Sequence, residues 1–172
     1  MKYRILFILI IIFFPVLNAN SQIEEGILKA AFIEKFTKLI NWPEKTTQND
    51  KFTICVVGNK SFYDQLHKAY SKRELKGKEV VVLFNEKIPV NQEIDILYLG
   101  VESNKLLDDA VEHLKNCLIV SEYEGFAKKG AHINFYLTEK ETMHFEINKS
   151  SMDDSGFKMD FLLLDFAKVV NK

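Results

Sequence analysis

The stretch Lys51-Phe-Thr-Ile-Cys-Val-Val-Gly-Asn59 constrains the fold more than any other. Phe52, Ile54, Val56 and Val57 form a short, nearly continuous apolar run, the pattern of a strand buried on both faces. Such a strand belongs inside a sheet with a helix layer on each side. Gly58 then offers a sharp turn, and the spacing of Ser61 and Asp64 is that of a capping box opening a helix to about Ser71. Strand, glycine and helix in this order make a βα unit.

Before this strand, Leu28, Ala31, Phe32, Phe36, Leu39 and Ile40 recur at one-face helical spacing, which predicts an amphipathic helix over 24–42. Pro43 disfavours helical geometry at Trp42, so the helix should stop there. Residues 44–51 are polar and read as a solvated loop. After Gly77, residues 80–84 read as a second buried strand and residues 94–99 as a third. A helix over 103–114 and a fourth strand over 117–120 follow. Strands alternating with helices predict an α/β fold, a mostly parallel sheet covered by helices on both faces.

The pattern then changes to period two. Ile133, Phe135 and Leu137 alternate with polar neighbours, as do Met143, Phe145 and Ile147. Placing the apolar residues on one face requires Phe135 opposite Phe145, with Glu139, Lys140 and Glu141 as the loop. Tyr136 then faces His144, and Asn134 faces Glu146. Met159, Leu162, Leu163, Phe166, Val169 and Val170 predict a closing amphipathic helix after this C-terminal β-hairpin.

At the N-terminus, Lys2 and Arg4 precede an apolar run over 5–14, Pro15 and small residues at Ala19 and Ser21. This is the form of a secretory signal peptide over 1–21, cleaved before Gln22. As a membrane anchor the run falls well short of the ~20 apolar residues a spanning helix needs. No cysteine follows it to carry a lipid. Residues 22–172 suffice for one domain. A net charge of −1 supplies no basic field for nucleic acid or anionic lipid.

The sequence carries no recognisable catalytic constellation. Residues 58–61 lack the second glycine and the Gly-Lys ending of a phosphate loop, and neither a dinucleotide fingerprint nor a nucleophile elbow occurs. His132 and His144 share the polar face of the expected hairpin but stand ~13 Å apart, too far to share an ion. His67 and His113 have no partner at metal spacing, so all four read as surface histidines. Cys55 and Cys117 are the only cysteines. In the common doubly wound order the third strand separates them by ~9–10 Å, beyond disulfide reach, which favours two buried thiols over a bridge. No metal, cofactor or catalytic residue is assigned.

Taken in order, several motifs resemble the YfiR family of periplasmic regulators. They are Lys29-Ala-Ala-Phe32 and Phe36, Trp42-Pro43, Phe52-Thr-Ile-Cys-Val-Val-Gly58, Gly77-Lys78, Gly130-Ala-His-Ile-Asn-Phe135 and Phe145-Glu-Ile-Asn148. The resemblance spans residues 27–170. It implies a dimeric, non-enzymatic α/β protein that binds the periplasmic part of an inner-membrane diguanylate cyclase and holds it inactive, with cyclic di-GMP and biofilm formation rising on release. A sensor kinase is the other partner such a regulator would take. Relatives can carry a cysteine pairing with the one matching Cys55, but the corresponding position here is Ile94.

For a partner surface, the sequence offers the aromatics around Trp42 and Pro43 and around Tyr123 and Phe126. A second reading is a small-ligand receptor, its pocket at the carboxyl ends of the strands near residues 58–61 and 100–103. An exported enzyme with an unusual site is the third.

Overall fold

A computed structural model describes residues 24–44 and 50–171. The expected signal peptide and part of the expected loop over 44–51 lie outside them. The chain runs α1 (residues 24–39), β1 (Ile40–Asn41), β2 (Lys51–Val57), α2 (Lys60–Tyr70), β3 (Glu74–Leu75), β4 (Lys78–Asn85), β5 (Ile96–Leu99), α3 (Asn104–His113) and β6 (Leu118–Ser121). It continues through β7 (Ile133–Leu137), β8 (Met143–Asn148), α4 (Lys149–Asp154), β9 (Lys158–Met159), α5 (Phe161–Leu164) and β10 (Lys168–Val170).

Eight strands form one sheet in the order β10-β8-β7-β6-β5-β2-β4-β3. Only β3–β4 and β7–β8 pair antiparallel, so the sheet is mostly parallel, as expected. β2 lies inside it, paired on both sides by β5 and β4, with Ile54, Cys55, Val56 and Val57 fully buried. Alternate residues of β2 feed different apolar layers. Ile54 and Val56 join α1 and α2, whereas Cys55 and Val57 join α3. A strand sandwiched in this way must be apolar at successive positions, which is why its sequence lacks alternation.

The hairpin pairs as expected: Phe135 faces Phe145, Tyr136 faces His144 and Asn134 faces Glu146. Phe32 and Phe36 of α1 cover it, with ring centroids 5.1–5.9 Å from Phe135 and Phe145. A two-residue turn joins β3 to β4. Lys76 and Gly77 both take positive φ, the pair of conformations that suits the twist of a tight hairpin.

Five expectations need correction. The first helix ends at residue 39, because Pro43 disfavours a further turn and Ile40–Asn41 gain strand pairing with β9. The α2 cap is Asn59, whose Oδ1 accepts from the Phe62 N–H at 2.9 Å, so no capping box at Ser61 is needed. α4 was not expected at all. Asn148 caps it, accepting from Ser151 N–H at 2.9 Å. The closing helix shrinks to four residues and buries only Leu163. Beyond it, Lys168–Val170 pair parallel with β8, where β-branched Val169 and Val170 are at home.

The fifth correction concerns His132, which is a buried histidine rather than a surface one, 3% exposed. Its Nδ1 accepts from Ile119 N–H at 2.9 Å, tying the ring to β6.

The third strand does separate the cysteines, and both thiols are free and buried. Burial pushes the Cys55 thiol up to about 11, against a smaller opposing effect of the Asn85 amide 3.6 Å from its sulfur. Burial raises Cys117 further still. Thiolate is the reactive form, so iodoacetamide at mildly alkaline pH should leave both sulfurs unmodified in the native protein and label both after unfolding. Native labelling at an unfolded-like rate, read by intact mass, would contradict this packing.

Candidate functional site

Parallel strands present their carboxyl ends together, and in open α/β sheets that is where crevices form. Here β2 is followed by Gly58 and Asn59, β5 by Gly100, and β6 by Glu122 and Tyr123. The turns after β2 and β5 are packed against each other. A Cβ on Gly58 would lie 2.6 Å from Val101 side-chain carbons, and one on Gly100 would lie 2.4 Å from the Asn59 Cβ. Gly58 also has φ +78°, a conformation that favours glycine.

Beside these turns runs an open groove of about 1010 Å³, bordered by α1, α2, the 122–125 segment and the ends of the β7–β8 hairpin. A buried polar cluster forms its floor. Glu122 accepts from the Tyr98 hydroxyl at 2.6 Å and from Lys29, which α1 delivers to it. Lys29 also pairs with Glu25 one turn earlier, at 2.5 Å. The Lys29 and Glu122 side chains are only 8% and 16% exposed, and Glu122 depends on Lys29 as its cation. Burial, with the Glu122 charge as the next cause, holds the Tyr98 phenol well above its usual range. It therefore stays protonated and donates. The Asn59 Nδ2 lies 3.5 Å from the second Glu122 oxygen.

Asn59 thus does two things: it caps α2 and leans on the groove's central carboxylate. Asn59→Ala should cost about 1 kcal/mol from the cap, a fall of roughly 2–4 °C in melting temperature. A calorimetric scan checks this, and an unchanged value would show that the cap carries no stability.

The four aromatic-region residues proposed from sequence fall at opposite ends of the sheet. Trp42 is 9% exposed and stacks edge-on to Phe52 and Phe157 at 5.9 and 5.5 Å, with Lys76 Nζ 4.8 Å above its ring. Pro43 is half-buried; a Cβ on Gly156 would come within 3.4 Å of it. Phe126 is 2% exposed and packs in the α3-side layer. Tyr123 alone of the four borders the groove, half-buried, its hydroxyl 3.4 Å from the Gly100 carbonyl. Of the four, Pro43 and Tyr123 keep part of their surface exposed, whereas Trp42 and Phe126 are spent on packing.

Sequence reasoning put a pocket at residues 58–61 and 100–103, and Asn59 and Ser61 do line the groove. It missed Lys29, Tyr98 and Glu122, the residues of the floor. The carboxyl-end rule, applied to the fourth strand as well as the first and third, would have pointed to Glu122.

The other polar contact with a catalytic look is His132 Nε2 to Ser155 Oγ, 2.9 Å. Its polarity is wrong for nucleophile activation. Nδ1 accepts from a backbone N–H, so the ring proton sits on Nε2 and donates to the serine, whereas a general base must accept the serine's proton. Among the described residues, no three of His, Cys, Asp or Glu gather as a metal site.

No curated protein matches the chain. Among solved structures, it is similar to a conserved domain protein from Vibrio cholerae O1 biovar El Tor str. N16961, with 15% identity, TM-score 0.47, and coverage of 70% of this chain and 54% of that one. It is also similar to the ABC domain in complex with L-Trp from Streptococcus pneumonia, with 13% identity, TM-score 0.47, and coverage of 69% and 55%. The chain spans about half the length of these structures. The profile of the YfiR/HmsC-like family matches residues 27–168, nearly the whole described chain, and the protein belongs to that family.

Proposed function

We propose that this protein is a periplasmic, non-enzymatic regulator that binds the periplasmic part of an inner-membrane diguanylate cyclase and holds it inactive. Release of the cyclase then raises cyclic di-GMP and promotes biofilm formation. Membership of the YfiR/HmsC-like family over residues 27–168 is the observation that carries this reading. It accords with the secretory form of residues 1–21, which we take as a cleaved signal peptide ahead of a single domain over 22–172. No helix among the described residues is long and apolar enough to cross a membrane. A homodimer is the working form in this reading. Release through a Cys55 bridge is not part of it, since Ile94 packs in the same apolar layer as Cys55 and offers no second sulfur.

In-cell crosslinking of the tagged, exported protein, followed by identification of what is captured, is the test. An inner-membrane cyclase with a periplasmic segment is the expected catch. A sensor kinase would keep the regulator and replace its pathway, and capture of neither, where a control pair is caught, would reject the reading.

The groove at the strand carboxyl ends favours one alternative, a small-ligand receptor. A ligand specific for the native state raises the melting temperature by mass action. A thermal-shift screen showing no stabiliser, on a protein that captures a cyclase, leaves the first reading alone.

A further inference from the structure

Four of the large apolar side chains most open to solvent cluster near the C-terminus: Phe161 (83% exposed), Leu162 (57%), Phe166 (68%) and Val169 (45%). Val169 lies on β10 itself and the other three precede it in the chain, Phe161 and Leu162 on α5. β10 is the last strand of the sheet on that side, so one row of its N–H and C=O groups has no neighbouring strand among the described residues. At the opposite edge, β3 is two residues long and carries exposed Glu74. β10 is only one residue longer and carries exposed Lys168, so what sets it apart is the exposed apolar surface near it, which marks an interaction site.

We propose that β10 and its apolar flank form an interface between two copies of this chain, with β10 pairing antiparallel to β10 of the second copy. The pairing rests on the homodimer of the reading above and is independent of its cyclase. An antiparallel two-fold uses the same edge on both copies and needs no foreign sequence. Centred on Val169, it sets Lys168 opposite Val170 and uses all three residues of the strand. The Lys168 side chain is turned away from that edge, tied to Glu146 on β8 at 2.7 Å.

Size and charge agree with self-association. The four exposed side chains offer on the order of 400 Å² of apolar surface per copy, taking an aromatic residue at 150–250 Å². That is about half of the ~800 Å² each partner gives to a standard interface, before backbone and rim are counted. The rim carries both signs. Exposed Asp160 and Asp165 stand immediately before and after α5, and exposed Lys35 brings its Nζ within 6.0 Å of the Phe166 ring. A mixed rim can set acids against bases across a two-fold, whereas a partner of single sign would meet like charge on one side.

Light scattering on the exported, purified wild-type protein at concentrations well above micromolar should give twice the chain mass. Phe166→Glu with Val169→Lys should halve it and leave the far-ultraviolet circular dichroism of the folded chain unchanged, because both side chains are exposed, while the melting temperature falls only by the stabilisation that dimerisation supplied. Val169→Cys should form an intermolecular disulfide on mild oxidation, since facing Cα atoms in an antiparallel pair lie ~4.5–5.5 Å apart. Leu137→Cys, exposed on a different strand, should not. A monomeric wild type overturns the proposal, even if it still captures its cyclase; in that case the regulator reading survives. A dimer that ignores the double substitution and does not crosslink through Val169→Cys also overturns it.

Discussion

Lys29→Met should lower the melting temperature by roughly 6–12 °C, the equivalent of about 3 kcal/mol for a domain of this size. Methionine keeps the length and most of the apolar stem of the lysine, so little packing is lost. What disappears is the cation held between Glu25 and Glu122. Glu25 is one-third exposed and can turn to water. Glu122 is 16% exposed and keeps only the Tyr98 hydroxyl and the long Asn59 contact. Breaking a buried pair from one side costs more than the pair itself contributes, because the remaining charge stays desolvated.

A second substitution separates that cause from lost packing. Adding Glu122→Gln removes the orphaned charge, so the double variant should recover part of the loss. The coupling between the two sites should then be well above the ~0.5 kcal/mol of independent positions. A single-variant shift below about 2 °C would mean that groove water already solvates the Glu122 carboxylate, and the floor would be a surface ion pair in energetic terms.

This floor shows where sequence reasoning stops. Lys29 and Glu122 are 93 positions apart, and neither has a local signature. Lys29 reads as one more charge on an amphipathic helix, and Glu122 as a polar residue after a strand. Only the sheet order brings them together, by placing the carboxyl end of β6 beneath α1. The hairpin register was legible for the opposite reason. Its determinants, Phe135 and Phe145, lie ten residues apart with strict alternation on both sides, so a one-residue slip would expose every apolar side chain.

The C-terminal segment misled because its apolar positions fit a helix while its environment did not. Leu162 and Phe166 have helical spacing, yet both point to solvent. The edge of β8 was available for pairing, and strand hydrogen bonds there won over a helix with little to cover. His132 misled similarly. Hairpin alternation assigned it to the polar face, but the segment after α4 packs on it, with Ser155 Oγ 2.9 Å from its Nε2 and the Phe157 ring 5.3 Å from the imidazole. Ile119 supplies a backbone donor to the ring's other nitrogen.

The largest single loss is expected at Phe36. Phe36→Ala should cost about 3–5 kcal/mol, a fall of roughly 10 °C or more. The ring is fully buried and meets both aromatic residues of the hairpin, Phe135 at 5.8 Å and Phe145 at 5.1 Å, besides Phe32 on its own helix. No neighbour is positioned to collapse into the space, because each already packs against another ring. Phe36→Leu should cost far less, and a Phe36→Ala shift under about 3 °C would mean that α1 relaxes onto the sheet more freely than this packing allows. The consequence reaches the groove. Phe36 and Lys29 lie two turns apart on one helix, and both hold α1 against the sheet, one by burial and one by charge. Loosening α1 through Phe36→Ala weakens the hold on Lys29, so part of the Lys29–Glu122 contribution is already lost in that variant. The combination of Phe36→Ala with Lys29→Met should therefore destabilise by less than the sum of the two. Strict additivity would show that the helix is anchored independently at each end, and that the groove floor does not depend on the hairpin that α1 covers.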